Sequence, residues 1–116
     1  MEKISVKLVV FRHPEPEKWD IYASYCPATC NFCAKGKSVQ EVLEKFKTIL
    51  FRDLQNRLAY KNLETWGWKV SENSAIPPIF ADSFILNEAE RIFEISIKEP
   101  LIIEVNVELP RAEKTI

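Results

Sequence analysis

The chain has little glycine, an odd number of cysteines and almost no excess of charge of either sign. With two glycines among 116 residues, it cannot form the glycine-rich loops that bind phosphate groups. Three cysteines cannot all pair with one another, so we expect no closed disulfide framework and a reducing cytoplasm as the location. Neither a signal segment nor an apolar run of membrane-spanning length is present, so we expect no membrane association.

The charge balance and the length restrict the function further. Sixteen basic and seventeen acidic side chains give a net charge of −1, which provides no overall attraction to nucleic acid. The length suits one domain with a modest core and is too short for a barrel or a doubly wound enzyme. His13 and the acidic residues form no arrangement that predicts an active site, so we expect neither catalysis nor a bound cofactor.

Alternating apolar residues predict most of the strands. The clearest strands are residues 3–11, 19–25 and 101–109, and a shorter strand is predicted at residues 32–35. Residues 68–70 are predicted to form a brief extended segment, and residues 71–78, which end in two prolines, are predicted to form a loop.

Helical signals predict the elements between these strands. Ser38 and Glu41 have the spacing of a capping box, and apolar residues recur at helical spacing from Val39 to Leu54. Residues 60–66 predict a shorter helix, and residues 82–93 predict another with Asp82 or Ser83 as its cap. Together with the strands, these helices predict an α+β fold in which the helices cover one face of a mainly antiparallel sheet.

Three cysteines form the first candidate site. Cys26, Cys30 and Cys33 have the C-x3-C-x2-C spacing with which radical enzymes hold an iron–sulfur cluster. The chain lacks the glycine-rich strand and the length of such enzymes, and a fourth ligand for zinc is not evident. Cysteine is also an ordinary small buried apolar residue, so packing is the alternative to metal binding or redox chemistry.

Four apolar residues form the second candidate site, a contact surface for a partner protein. Trp66 and Trp68 flank Gly67, which predicts a left-handed stop, and they are partner anchors if they are exposed and core residues if they are not. Val105 and Val107 lie on a strand that could close the sheet or pair across a two-fold axis. We therefore predict a homodimer.

Two parts of the chain resemble a known family. The run Tyr-Ala-Ser-Tyr-Cys-Pro at residues 22–27, followed by Ala-Lys-Gly-Lys-Ser at 34–38 and the start of an amphipathic helix at 40–47, resembles the core of HicB-type antitoxins. The Trp-Gly-Trp segment within residues 63–70, the two prolines at 77–78 and the ending at residues 105–110 resemble a longer-tailed branch of HicB-like proteins. The resemblance covers residues 3–110.

The resemblance implies a fold and a function. The fold would be a degenerate ribonuclease-H-like β-β-β-α-β core at residues 1–70, with a C-terminal α-β extension at 71–110 that packs on or pairs with the core, and a flexible tail at 111–116. The function would be that of a non-enzymatic antitoxin, or an orphan relative, that covers a small HicA-like toxin and so stops it from cleaving mRNA. No helix-turn-helix or ribbon-helix-helix is evident after residue 67, so DNA binding is doubtful.

Two alternative functions stay open. One is a metal or redox module built on the three cysteines, and the other is a remnant nucleic-acid-binding domain of ribonuclease-H descent.

Overall fold

The computed structural model of this protein describes residues 3–13, 21–29, 34–60, 63–64, 67–71 and 74–108. These residues form six strands and two α-helices, in the order β1 Lys3–Arg12, β2 Tyr22–Tyr25, β3 Lys35–Gly36, α1 Val39–Tyr60, β4 Lys69–Ser71, β5 Ser74–Ile76, α2 Asp82–Phe93 and β6 Leu101–Glu108. The predicted α+β class is confirmed.

β1 is a central strand of a four-stranded antiparallel sheet with the order β3-β2-β1-β6. It pairs with β2 through its last four residues. It pairs with β6 over eight residues, from Lys3 opposite Glu108 to Val10 opposite Leu101. A strand in this position needs apolar side chains on both faces, and the sequence of β1 provides them.

α1 covers one face of the sheet, which we call the inner face. The helix begins after Ser38, whose Oγ accepts a hydrogen bond from the backbone N–H of Glu41 at 3.1 Å, as the predicted capping box requires. Four buried side chains spaced by four residues form its apolar stripe: Val42, Phe46, Leu50 and Leu54. They share one hydrophobic cluster with inner-face residues of β1 and β6: Ile4, Val6, Leu8, Val10, Val105 and Val107.

α2 covers the opposite face of the sheet, the outer face. The prediction that the helices lie on one face is therefore wrong. Ile85 and Ala89 of α2 are fully buried in a second cluster, together with Val9, Phe11, Ala23 and Tyr25. The ring of Phe11 also meets Phe93 edge-to-face, with 5.3 Å between the ring centres. The physical reason lies in β1, because Val9 and Phe11 give the outer face an apolar patch that has to be covered.

A small second sheet was not predicted. β5 pairs antiparallel with β4, with Lys69 opposite Ile76, although residues 71–78 were expected to form a loop. β4 lies at the extended segment expected at residues 68–70, whereas β5 has three residues, too few to show an alternating pattern, so sequence periodicity does not reveal it. Gly67, just before this hairpin, has a φ of +89°, which confirms the predicted left-handed stop.

Other element ends also differ from the predictions. α1 continues to Tyr60, where a separate helix was expected to begin, and the rest of that expected helix lies largely outside the described residues. The expected strand at 32–35 is described only from Ala34, and the ladder of β3 begins at Lys35. α2 has the expected bounds, but its N-cap is Ala81, which makes no side-chain capping bond.

The residues after position 70 share the sheet and the core of the residues before it. β6 pairs with β1 along its length. Ala75, Val105 and Val107 belong to the same cluster as the buried stripe of α1. The tail at 111–116 lies outside the described residues.

Candidate functional site

Of the three cysteines, Cys26 is the one whose position is described. It follows β2 directly, its side chain is 1 % exposed, and it belongs to the inner-face cluster. Its carbonyl accepts hydrogen bonds from the backbone N–H and the hydroxyl of Thr29, both at 3.2 Å, which form a tight turn. Cys30 and Cys33 lie outside the described residues, so the structure does not show whether the three thiols meet.

Trp68 packs inside the protein. Its side chain is 3 % exposed, and its indole N–H donates a hydrogen bond of 2.9 Å to the carbonyl of Ala28. This bond ties the segment before β4 to the turn after β2. Trp68 therefore fills the core in this structure, where it is not accessible to a partner, and Trp66 lies outside the described residues.

The side chains of Val105 and Val107 also point into the core. They are 3 % and 7 % exposed and belong to the cluster under α1. A partner that approaches β6 would meet its backbone edge and not these two side chains. β6 is the last strand of the sheet order, and within the described ranges β1 is its one pairing neighbour.

An open groove runs beside this edge, between α1 and the end of β6. We call it the α1–β6 groove, and its volume is about 400 Å³. The residues that line it are Lys47, Thr48, Phe51, Arg52, Asn106, Val107 and Glu108. Its floor is apolar, since Phe51 and Val107 pack on the inner-face cluster, and two cations lie at its rim.

A second exposed surface lies on the other side of the molecule, around α2. Its apolar members are Ile79, which is 91 % exposed, Phe84 and Ile92. Its charged members are Asp82 and Glu94, which are also exposed. We call these five residues the α2 surface. Ile92 lies seven residues after Ile85 and therefore on the same helical stripe, yet it is 47 % exposed at the C-terminal end of α2.

Contacts hold the α2 surface in place. The rings of Phe80 and Phe84 are stacked with 5.1 Å between their centres. Lys7 of β1 forms a 3.1 Å ion pair with Asp82, the first residue of α2. Glu90 accepts a 2.9 Å hydrogen bond from the backbone N–H of Ile97, which fixes the chain after the helix. The exposed side chains therefore project from a fixed base.

The charges of the chain are unevenly divided. Residues 74–108 contain seven acidic and two basic side chains, a net charge of −5, while the whole chain carries −1. The rest of the chain is therefore positive. The acidic side chains are Asp82, Glu88, Glu90, Glu94, Glu99, Glu104 and Glu108. The α2 surface lies in this acidic part of the chain.

Two exposed ion pairs shift the pKa values of their carboxyl groups. A hydrogen bond from Lys45 lowers the pKa of Glu41, and the two groups are 3.0 Å apart, four residues apart along α1 as in other helical ion pairs. A hydrogen bond from Arg91 lowers the pKa of Glu88, and Glu88 raises the pKa of Arg91 in turn. Both pairs lie on the exposed sides of the helices.

The described residues show no group of three or more histidine, cysteine or acidic side chains placed to hold a metal ion. In the same part of the chain, neither helix combines the length and the apolar content that crossing a membrane requires. What the described surfaces offer is contact area: exposed apolar residues around α2, in the acidic part of the chain, and a strand edge beside a groove.

Sequence reasoning proposed the strand at 101–109 as a pairing strand but did not find the α2 surface. Residues 71–78 were expected to form a loop and α2 to lie with α1, so Ile79 and Phe84 received no role. A signal was present in the sequence, because Ile-Phe at 79–80 follows two prolines that end regular structure and leave apolar side chains on an irregular segment.

Comparison of the chain with protein-family models, with curated proteins and with solved structures found no match in any of the three.

Proposed function

We propose that this chain is a non-enzymatic, HicB-like antitoxin that binds a small mRNA-cleaving toxin and covers the surface with which the toxin holds RNA. The observation that carries the proposal is the α2 surface, where exposed apolar side chains stand in the acidic part of the chain. The sequence resemblance points in the same direction. The three-cysteine count favours the cytoplasm as the place of action.

The order of the first elements supports this assignment. The resemblance implies strands followed by a capped amphipathic helix in a degenerate ribonuclease-H-like core. The described chain has β1, β2 and β3 in one antiparallel sheet, followed by α1 with its Ser38 cap. The strand after the helix within residues 1–70 is β4, which pairs with β5 in the small sheet, and β6 of the C-terminal extension takes the place beside β1 in the main sheet.

Charge complementarity gives the proposed contact a physical basis. A protein that cleaves RNA has to attract phosphates, so its RNA-binding surface is basic. The acidic part of this chain would be attracted to such a surface, and complementary charge speeds association and orients the two proteins. Ile79 and Phe84 would then supply the buried apolar contacts that hold a complex together.

The first experiment is co-expression with the product of the neighbouring gene. We expect that product to arrest growth and degrade mRNA when it is expressed alone, and this chain to suppress both effects and to co-purify with it. A neighbouring product that is harmless alone and does not co-purify would contradict the proposal.

The second experiment locates the contact. Ile79→Asp should weaken toxin binding about ten- to thirty-fold, because it places a charge where an apolar side chain would be buried. It should leave folding unchanged because Ile79 is 91 % exposed. Ile49→Asp is the matched control, since Ile49 is an exposed isoleucine on α1, at the other face of the sheet. Equal affinities of both variants would remove the α2 surface from the proposal.

A third measurement separates the antitoxin role from a remnant nucleic-acid-binding role. An acidic surface that binds a basic toxin should associate more slowly as salt is raised, while the chain alone should not shift labelled RNA at low salt. Salt-dependent RNA binding by the chain alone would favour the remnant nucleic-acid-binding domain.

A further inference from the structure

The two edges of the main sheet are protected very differently. One edge is β3, which is two residues long and carries Lys35. The other edge is β6, which is eight residues long and alternates regularly. Proteins protect exposed edges with short strands, lysine, proline or bulges. Residues 101–108 contain neither lysine nor proline. Each of them pairs with the next residue of β1 in turn, so the ladder contains no bulge.

The inner face of β6 is also covered unevenly. The α1–β6 groove lies at residues 106–108, where Val107 is buried. At the other end of the strand Leu101 is 47 % exposed and Ile103 is half-buried, although both side chains point to the same face as Val107. One end of β6 therefore has an apolar groove beside it, and the other end has apolar side chains without full cover.

We propose that the edge of β6 away from β1, with which no strand of the described residues pairs, binds the same edge of a second copy of this chain, antiparallel and around a two-fold axis at Val105. This pairing would place Leu101 and Ile103 of each copy beside the α1–β6 groove of the other. The groove floor of Phe51 and Val107 would then cover the apolar side chains that the single copy leaves exposed. The result is one continuous eight-stranded sheet.

The charges on the strand select the register. Residues directly opposite each other in an antiparallel pair point to the same face of the sheet. The two-fold axis therefore has to pass through a residue and not between two residues, so that inner-face residues face inner-face residues. An axis at Glu104 places two glutamates opposite each other, and an axis at Asn106 places Glu104 opposite Glu108. An axis at Val105 places Glu104 opposite Asn106 and pairs residues 102–108 of both copies. An axis at Ile103 also avoids facing glutamates, but it pairs only residues 101–105.

The pairing closes at two copies. A two-fold contact uses the same edge of both copies, so each β6 edge is consumed. The edges that are left are the short β3 strands, which resist further addition. This proposal does not depend on the toxin, because it is argued from the edge of β6 and the α1–β6 groove and not from the α2 surface.

Sedimentation and light scattering of the full chain across micromolar concentrations test the pairing. We expect the mass of two chains. Leu101→Lys should shift the mass toward one chain, because it brings a cation beside Lys47 and Arg52 of the other copy. Ile92→Lys is the matched control, since Ile92 is equally exposed at 47 %, and it should stay dimeric. A wild-type mass of one chain at every concentration overturns the proposal and would fit an edge that pairs with a strand of a different protein. A Leu101→Lys variant that is as dimeric as the control also overturns it.

Substitution of Asn106 tests the register. Asn106→Glu would face Glu104 of the other copy twice, and Asn106→Lys would form two favourable pairs. We expect the dimer dissociation constant to rise roughly two- to thirty-fold in the first variant and to fall by a similar factor in the second. With the axis at Asn106, both variants would weaken the dimer, and with the axis at Glu104 or Ile103 neither would find a charge opposite. Any of these patterns overturns the axis at Val105.

Discussion

At the scale of single residues, Ser38 determines where the long helix begins. Its hydroxyl oxygen accepts the backbone N–H of Glu41, one of the N–H groups that a helix start leaves without a partner. Ser38→Ala should lower the free energy of unfolding by about 1 kcal/mol. Urea denaturation measures this change. Ser38→Asp should restore most of the stability because aspartate is an equally good cap, and a loss as large as that of alanine would show that the cap is not the cause.

Trp68 is the residue whose polar atom joins two distant segments. Trp68→Phe keeps an aromatic ring in the core but removes the indole N–H that binds the carbonyl of Ala28, which lies in a buried turn. Leaving that carbonyl without its donor should lower the free energy of unfolding by about 1–3 kcal/mol. Chemical denaturation followed by circular dichroism measures the loss without relying on tryptophan fluorescence. An unchanged midpoint would mean that water replaces the indole.

At the scale of elements, α1 has one buried stripe and one exposed side, so truncation of two adjacent residues should change the free energy of unfolding by very different amounts. Leu50 is fully buried and Ile49 is 36 % exposed. Leu50→Ala should cost about 2–5 kcal/mol of unfolding free energy because it leaves a cavity in the core, while Ile49→Ala should change it by much less. Thermal or urea unfolding of both variants provides the comparison. Similar losses in the two would mean that the helix is rotated relative to this description.

The sequence predicted elements well where a periodic pattern was long. β1, β6, the start of α1 and the bounds of α2 follow from alternation, a capping box and helical spacing, which are local signals. It failed where tertiary packing decides. β5 is too short to alternate, and the side of the sheet that α2 covers depends on the apolar patch of Val9 and Phe11. That patch indicates that β1 is covered on both faces, but no local signal says which helix covers the second face.

At the scale of the whole molecule, the candidate surfaces depend on which strand lies at the edge of the sheet. The valines of β6 were chosen from sequence as contact residues because the strand alternates, but alternation equally predicts a buried face, and Val105 and Val107 are buried. That β6 lies at an edge is a property of the strand order. The uneven charge could have been counted from the sequence, but the fold was needed to show which acidic residues lie on α2 and which lie on β6.

Acid should remove a contribution to stability that two surface pairs supply. The pKa values of Glu41 and Glu88 are lowered from 4.5 in the folded chain, chiefly by hydrogen bonds from Lys45 and Arg91. A carboxyl group with a lowered folded pKa stabilises the fold above its unfolded pKa. That stabilisation is lost as the pH falls through the folded value. Glu41→Gln and Glu88→Gln should therefore be slightly less stable than the wild type at pH 7, and the difference should shrink below pH 4.5.

Urea unfolding at several pH values measures this convergence. The effect is small because exposed pairs are screened by solvent, and added salt should reduce it further at pH 7. In a Lys45→Met background the Glu41→Gln change should lose most of its pH dependence, since Lys45 is the main cause of the lowered pKa. A Glu41→Gln difference that persists unchanged to pH 2 would attribute the loss to packing at the first turn of α1, where Glu41 lies against Gly36, and not to its charge.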